Sequence, residues 1–452
     1  MLQKYFGDKV FLKKLWKITL PLMLQSFMLA AVAAADSLML GSLNQNSMSA
    51  VSEATQVQFI QNMFLSSVVM GCTILGAQYW GKGDKKTVSN LFCIIIRLNL
   101  IISVVFAGAC ILTPRFLMRI FTNEEVLISL GVRYLKIAGW SYLLTGISQC
   151  YLGIMKVTDH PSTSAWISIS AVIINIALNA VFIYGLGPLP VMDVEGAALA
   201  TLISRVIELF AAVFFSHKKG YMHLDIAGLF KRFSYIMKDF WKTVLPCLGA
   251  SLLWGVGFTS YTAFMGHMGT AAAAANSVAA VVRDLVCCAC NGVANATGIV
   301  VGNELGAGNL EKGKLYGDRI MHLAFVIGIL STLVMFAVTP LLKFIVKLDA
   351  DASRYLTQLM LVMSVYMIGR VVNTIVINGV FYCGGDIMYD VISLITTMWM
   401  LAVPLAFLGT FVFDWPVWVV YACTCLDEVG KIPWVIVHHK KYKWVKDLTQ
   451  GA

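Results

Sequence analysis

Leu98-Asn-Leu-Ile-Ile-Ser-Val-Val-Phe-Ala-Gly-Ala-Cys-Ile-Leu112 offers water almost nothing to bond. Leu323–Val338 and Val391–Val412 read the same way. Such stretches lie within segments long enough to cross a hydrocarbon core of about 30 Å, which takes ~20 mostly apolar residues. The whole 452-residue chain follows suit: 59% of it is hydrophobic and 13% is charged, and its mean hydropathy is +0.78. A large soluble helical core would need polar helix faces, and these are missing. The reading is an all-α polytopic membrane protein with twelve spans near 14–42, 46–79, 86–112, 123–155, 162–187, 194–217, 235–266, 270–305, 311–343, 351–383, 388–412 and 415–437.

The net charge of +10 does not point to nucleic acid, because the basic residues cluster between spans. The clusters are Lys4, Lys9, Lys13, Lys14 and Lys17, then Lys82–Lys86, Lys218–Lys242, Lys312–Arg319 and Lys431–Lys446. Gly41–Met48, Gly185–Val194 and Phe413–Pro416 carry no Lys or Arg. This is the positive-inside pattern of an inner (plasma) membrane protein with both termini cytoplasmic. Two outer segments break it, one with Arg115 and Arg119, the other with Lys343, Lys347 and Arg354. The first apolar run is too long for a removed signal peptide and has no cleavage signal. Most of the eleven cysteines lie in apolar stretches and read as packing residues rather than thiolate ligands.

The two halves repeat each other at an offset of about 225 residues, the mark of a parallel repeat. Pro21 answers Pro246, Gly41 answers Gly266, and Gly81-Lys-Gly83-Asp84 answers Gly306-Ala-Gly308-Asn309. Gly153 and Asp159 answer Gly379 and Asp386. The expected organisation is a six-helix lobe over 1–217, a basic cytoplasmic linker over 218–234 and a second six-helix lobe over 235–452. No Walker motif couples ATP, so an ion gradient is the expected energy source.

Several segments resemble the multidrug and toxic compound extrusion (MATE) family of cation-coupled exporters. Ile173-Ile-Asn175-Ile-Ala-Leu-Asn179-Ala-Val-Phe-Ile-Tyr-Gly185 is similar to the family's fifth helix, and Val194-Glu-Gly196-Ala-Ala-Leu-Ala-Thr201 to the start of its sixth. Val301-Gly-Asn-Glu-Leu-Gly306-Ala-Gly308, Asp36 in the first helix and the Cys383-Gly-Gly-Asp386 turn complete the set. The resemblance covers essentially the whole chain. It implies two pseudo-symmetric six-helix lobes forming a V around a central cavity. It also implies a cation site in the first lobe, whose pattern falls on Asp36, Asn175, Asn179 and Thr201. Some branches have an acid where this chain has Asn179, which leaves Asp36 as the lone carboxylate there.

The residues make the same case. A carboxylate in mid-membrane costs ~3 kcal/mol or more, so Asp36 is a functional candidate by default, with hydrogen bonding to nearby backbone as the bland reading. Asn175 and Asn179 share one helix face. With Thr201 they would form an oxygen-rich cage for a small cation or a proton relay, or else amides that glue helices together. Relatives with acids in the seventh and tenth helices find Trp254, Tyr261 and Val371 near those positions here, so no second-lobe ion site is carried across. Arg370 could bind an anionic substrate group, pair with an acid, or lie at the outer part of its helix. Arg205 with Glu208, Arg283 with Asp284 and Asp427 with Glu428 read as local pairs or as crevice lining. Gln56, Gln61, Gln149, Trp254, Tyr261 and Arg370 are the substrate-cavity candidates.

The expected function is secondary active export of organic, cationic, amphiphilic compounds by a monomer, through antiport against H⁺ or Na⁺. No cofactor is expected, and no metal beyond Na⁺ at Asp36. A flippase for a lipid-linked precursor would use the same scaffold, but it would need a basic cavity, and the embedded candidates are only Arg97, Arg205, Arg283 and Arg370. A membrane enzyme would need a nucleophile–base or metal constellation. Six of the seven histidines fall at loops or helix ends, leaving His322.

Overall fold

Backbone amides in hydrocarbon must find partners within their own segment, so long apolar runs fold as helices. In the computed structural model this holds throughout. The structure describes residues 7, 9–185, 190–231, 233–345 and 348–450, and among them there is no β-strand. Lys4, Lys347 and residues 186–189 of the expected outer loop lie outside the described residues.

All twelve expected segments are helical. They are α1 (Lys9–Leu43), α2 (Gln45–Lys82), α3 (Lys85–Leu112), α4 (Glu125–Val157), α5 (Pro161–Tyr184) and α6 (Asp193–Ser216), followed by α7 (Ser234–His267), α8 (Thr270–Gly306) and α9 (Leu310–Ile345). The last three are α10 (Ala350–Phe381), α11 (Met388–Phe411) and α12, built from Val417–Val429 and Ile432–Lys440. Among the described residues, ten helices are long and apolar enough to cross a membrane. α4 is long but carries Glu125, Arg133, Lys136 and Lys156. α12, expected as one run, breaks after Val429, where Gly430 and the imino nitrogen of Pro433 interrupt the backbone ladder. α10 widens into a π-helical turn over Thr374–Phe381 and α11 into another over Leu394–Ala402.

The repeat is visible in the backbone. Gly83, after α2, and Gly308, after α8, both take left-handed φ angles of 83° and 79°. Asp159, before α5, and Gly385, before α11, do so at 64° and 76°, and Asp193 and Asp414 both have φ 48°. Equivalent chain reversals therefore recur in both halves.

The chain forms two compact units, one of residues 24–244 and the other of residues 1–23 and 245–452. The divisions fall inside α1 and α7, next to the interior prolines Pro21 and Pro246. In the unit of residues 24–244, α4 packs against α2, α3, α5 and α6. Its core joins Leu40, Val51, Ala54, Tyr134, Leu135, Tyr142 and Ala197. Close approach is enforced at Gly146, where a Cβ would lie 1.9 Å from Ser103 Oγ on α3. In the other unit α10 packs against α8, α9 and α12. There the fully buried Trp444 seals Gly317 and Gly384, and a Cβ on Gly384 would lie 1.5 Å from the Trp444 carbonyl oxygen.

Candidate functional site

Asp36 sits on α1, Asn175 and Asn179 one turn apart on α5, and Thr201 on α6. The fold brings all four together inside the unit of residues 24–244. Asn179 Nδ2 donates to Asp36 Oδ1 at 2.5 Å and lies 3.3 Å from Asn175 Oδ1. Asn175 Nδ2 donates in turn to Thr201 Oγ1 at 3.4 Å and to Ser204 Oγ at 3.3 Å. Asn179 is fully buried, and among the described residues its Oδ1 accepts no hydrogen bond. A buried acceptor without a donor is unusual in a settled core, so it leaves an oxygen free for a cation or a protonated group.

The group borders a cavity of about 270 Å³ walled by α1, α2, α4, α5 and α6. Asp36, Asn175, Thr201, Ser204 and Arg205 line it on the polar side, with Thr55 and Gln58 from α2 and the Tyr134 ring from α4. Arg205 lies within electrostatic range of Asp36, while its Nη1 donates to Glu208 Oε2 at 2.6 Å. The site is thus one carboxylate, two amides and two hydroxyls beside a small void, with one guanidinium at its edge. It can hold a small cation or pass a proton along a row of side-chain dipoles.

The six substrate-cavity candidates lie elsewhere. Gln56 is exposed on α2. Gln61 is buried and donates to the Tyr142 carbonyl at 3.0 Å, tying α2 to α4. Gln149 donates to Asn62 Oδ1 at 3.3 Å. Trp254 stacks on Phe258 with centroids 5.2 Å apart. Tyr261 packs beside Ala250, Leu394 and Met398. Arg370, left open between three roles, pairs with an acid: Nη1 donates to Glu428 Oε1 at 2.7 Å, and its guanidinium lies 5.6 Å from the Trp254 ring centroid.

Two features escaped sequence reading. Ser204 and Arg205 complete the first-lobe site, and only their spacing of three and four residues from Thr201 on one helix could have signalled it. The second is the set of partners (Asn373, Tyr382, Asp390 and Lys431) that join Arg370, Asp427 and Glu428 in a buried polar cluster of the other unit. Asn373 Nδ2 donates to Glu428 Oε2 and to the Glu428 carbonyl, each at 2.7 Å. Tyr382 donates to Asp390 Oδ2 at 2.6 Å. Asp427 and Lys431 are buried nearby. Among the described residues, no group of three or more His, Cys, Asp or Glu is placed to hold a metal ion.

Comparison with known proteins agrees with this architecture. The sequence profile of the MatE family matches residues 21–181 and 246–408, one segment in each half. The uncharacterized transporter YisQ of Bacillus subtilis is 23% identical over 405 residues, covering 89% of this chain and 88% of its own length. A probable multidrug resistance protein NorM of Bradyrhizobium diazoefficiens is 27% identical over 64% of this chain and 62% of its own length. The solved Vibrio cholerae MATE transporter VcmN superposes with a TM-score of 0.87 at 14% identity, covering 96% of this chain and 98% of its own. An outward-facing MATE transporter of the MOP superfamily superposes at 0.85 with 19% identity, covering 97% and 98%. The chain is therefore a multi-pass membrane protein that belongs to the MatE family of efflux transporters.

Proposed function

We propose that this transporter exports organic, cationic, amphiphilic compounds by antiport against H⁺ or Na⁺, with Asp36, Asn175, Asn179 and Thr201 as the cation-coupling group. The observation that carries the reading is the Asp36–Asn179 pair, in which Asp36 borders a cavity inside a membrane-spanning unit and the Oδ1 of the buried Asn179 behind it has no partner among the described residues. Relatives named as multidrug resistance proteins support the substrate class. An external cation neutralises Asp36 and weakens its claim on Asn179. α1 and α5 then shift against each other, and the bound compound is expelled as access alternates. The transporter works as a monomer in the inner membrane with both termini cytoplasmic, its lobes 1–217 and 235–452 joined by the basic segment 218–234.

The flippase alternative needs arginines free for phosphate. Arg97, Arg205, Arg283 and Arg370 each hold a protein partner: the Lys231 carbonyl, Glu208, Asp284 and Glu428.

The test is ethidium efflux from energised vesicles, wild type against Asp36→Asn, with the Na⁺ and proton gradients collapsed separately. Efflux that needs Asp36 and stops with one gradient establishes antiport and names the ion. Normal export by Asp36→Asn removes Asp36 from the mechanism.

A further inference from the structure

Below the Asp36 site, four helices of the same unit converge on a second carboxylate. Glu208 of α6 is 2% exposed. Besides Arg205, it accepts from Ser148 Oγ of α4 at 3.3 Å and from Ser168 Oγ of α5 at 3.4 Å. Ser168 Oγ is itself held by Gln25 Nε2 of α1 at 2.8 Å. α1, α4, α5 and α6, which wall the upper cavity together with α2, contribute again here. On α1 and α5 the two layers lie eleven residues apart (Asp36 to Gln25, Asn179 to Ser168), which at 1.5 Å per residue is ~16 Å along the lobe.

Polar side chains fill the interval. The hydrogen-bonded row runs from Asp36 through Asn179 and Asn175 to Thr201 and Ser204. Arg205 follows Ser204 on α6, borders the Asp36 cavity and bonds Glu208. One guanidinium therefore serves the buried Glu208 and the half-buried Asp36. Lys156 lies within electrostatic range of Glu208, but among the described residues only Arg205 makes an ion pair with either acid, and it holds Glu208, which leaves Asp36 as the place for one exchangeable cation.

Resting on the antiport reading above, we infer that Glu208 is the inward-side partner of Asp36, and that Arg205 pairs the two carboxylates in turn. While Asp36 carries the cation it is neutral, and Arg205 stays on Glu208. When the cation leaves Asp36, the new anion draws Arg205 upward. Glu208, released, takes the same cation and hands it to the cytoplasmic side. One monovalent cation enters at Asp36 and one leaves from Glu208, and the hand-over between the two carboxylates leaves the lobe's charge unchanged. The other charged group within range of Glu208 is Lys156, near the cytoplasmic end of α4. Tyr134 of α4 is the titratable group facing Asp36. α1, α2 and α5 present the neutral Gln25, Thr55, Gln58, Ser168, Asn175 and Asn179.

The experiment measures gradient-driven ethidium efflux in reconstituted vesicles against external cation concentration. It compares wild type, Asp36→Asn, Glu208→Gln and the charge-balanced double variant Arg205→Gln/Glu208→Gln. With Glu208 neutral, Arg205 settles on Asp36 and competes with the cation, so the half-saturating concentration should rise about tenfold, or one pH unit toward acid for protons. The double variant removes the competitor and should bring that concentration below the wild-type value, while its maximal efflux stays low for want of the inner carboxylate. A purely structural role would change the amount of folded protein and leave the half-saturating concentration alone. Should Glu208→Gln fail to fold, the double variant and Arg205→Gln alone carry the comparison, since both should saturate at lower cation concentration. Unchanged half-saturation and maximal rate in these folded variants, with Asp36→Asn inactive, overturns the role of Glu208 and leaves the antiport reading standing. Normal efflux by Asp36→Asn overturns both.

Discussion

The two halves share a backbone plan, and each holds a buried Arg–Glu pair, but they place their remaining acids differently. In the first, Asp36 faces two neutral amides and a cavity. The repeat places Tyr261 of α7 where α1 has Asp36, and Leu401 and Leu405 of α11 where α5 has its asparagines. The second half puts its acids on α11 and α12 instead and clamps them. Glu428 is held by Arg370 and Asn373, Asp390 by Tyr382, and Lys431 is buried near Asp390, Asp427 and Glu428. A carboxylate among neutral dipoles can gain or lose a cation with little rearrangement. Glu428, held by a guanidinium and an amide together with a buried lysine close by, must break that whole cluster first, which makes it a strut; Glu208 differs because Asp36 can take Arg205 in its place. The same backbone plan occurs twice, and a carboxylate set among neutral amides beside a cavity occurs, among the described residues, in the first half.

The sharpest way to break this comparison is to neutralise one acid from each half. Asp36→Asn should lower coupled efflux about a hundredfold or more, while melting in detergent stays near wild type, because the amide can still bond Asn179. Glu428→Gln should do the reverse. Leaving Arg370 buried and unpaired costs about 3–5 kcal/mol, so thermal melting and yield fall sharply, and efflux per folded molecule changes less. Replacing the pair together, Arg370→Met with Glu428→Met, should recover much of that loss. If Glu428→Gln is stable and silent in transport, the strut reading fails.

Smaller effects sharpen the contrast. Gly384→Ala should cost about 1–3 kcal/mol by driving a methyl into the Trp444 backbone, read as a lower melting temperature. Asn179→Leu keeps the charge of Asp36 but removes its donor and the unpartnered oxygen, so efflux should fall about tenfold with folding intact. The smallest effect belongs to the loop before α3. Burial disfavours the charged form of Asp84, but the Thr87 hydroxyl and backbone N–H, with Lys82, outweigh it and hold its carboxyl below the usual 3.8. A depressed carboxylate contributes stability that is complete above its unfolded value and lost as pH falls through the folded one. Asp84→Ala should therefore cost about 1 kcal/mol at neutral pH through the lost helix cap, and the difference from wild type should fade below pH 3.8.

Much of this was written in the chain itself. Composition and continuous apolar runs determine a membrane protein, because hydrocarbon leaves a backbone no other partner than its own helix. The repeated prolines and glycines determine the duplication, since left-handed chain reversals such as those at Gly83 and Gly308 admit few residues. Asp36 stood out because a lone acid in an apolar run has a cost that demands a use, and Asn175 with Asn179 because their spacing is helical. The partners were not legible. Gln25, Ser148, Ser168 and Glu208 lie on four helices as far as 183 residues apart in sequence, and nothing local marks four ordinary polar residues as one cluster. Arg370 could be given its acid only when α10 met α12. A charge in a membrane announces itself by cost, a local property of the sequence; what it pairs with depends on which helix faces pack together, and that only the tertiary structure decides.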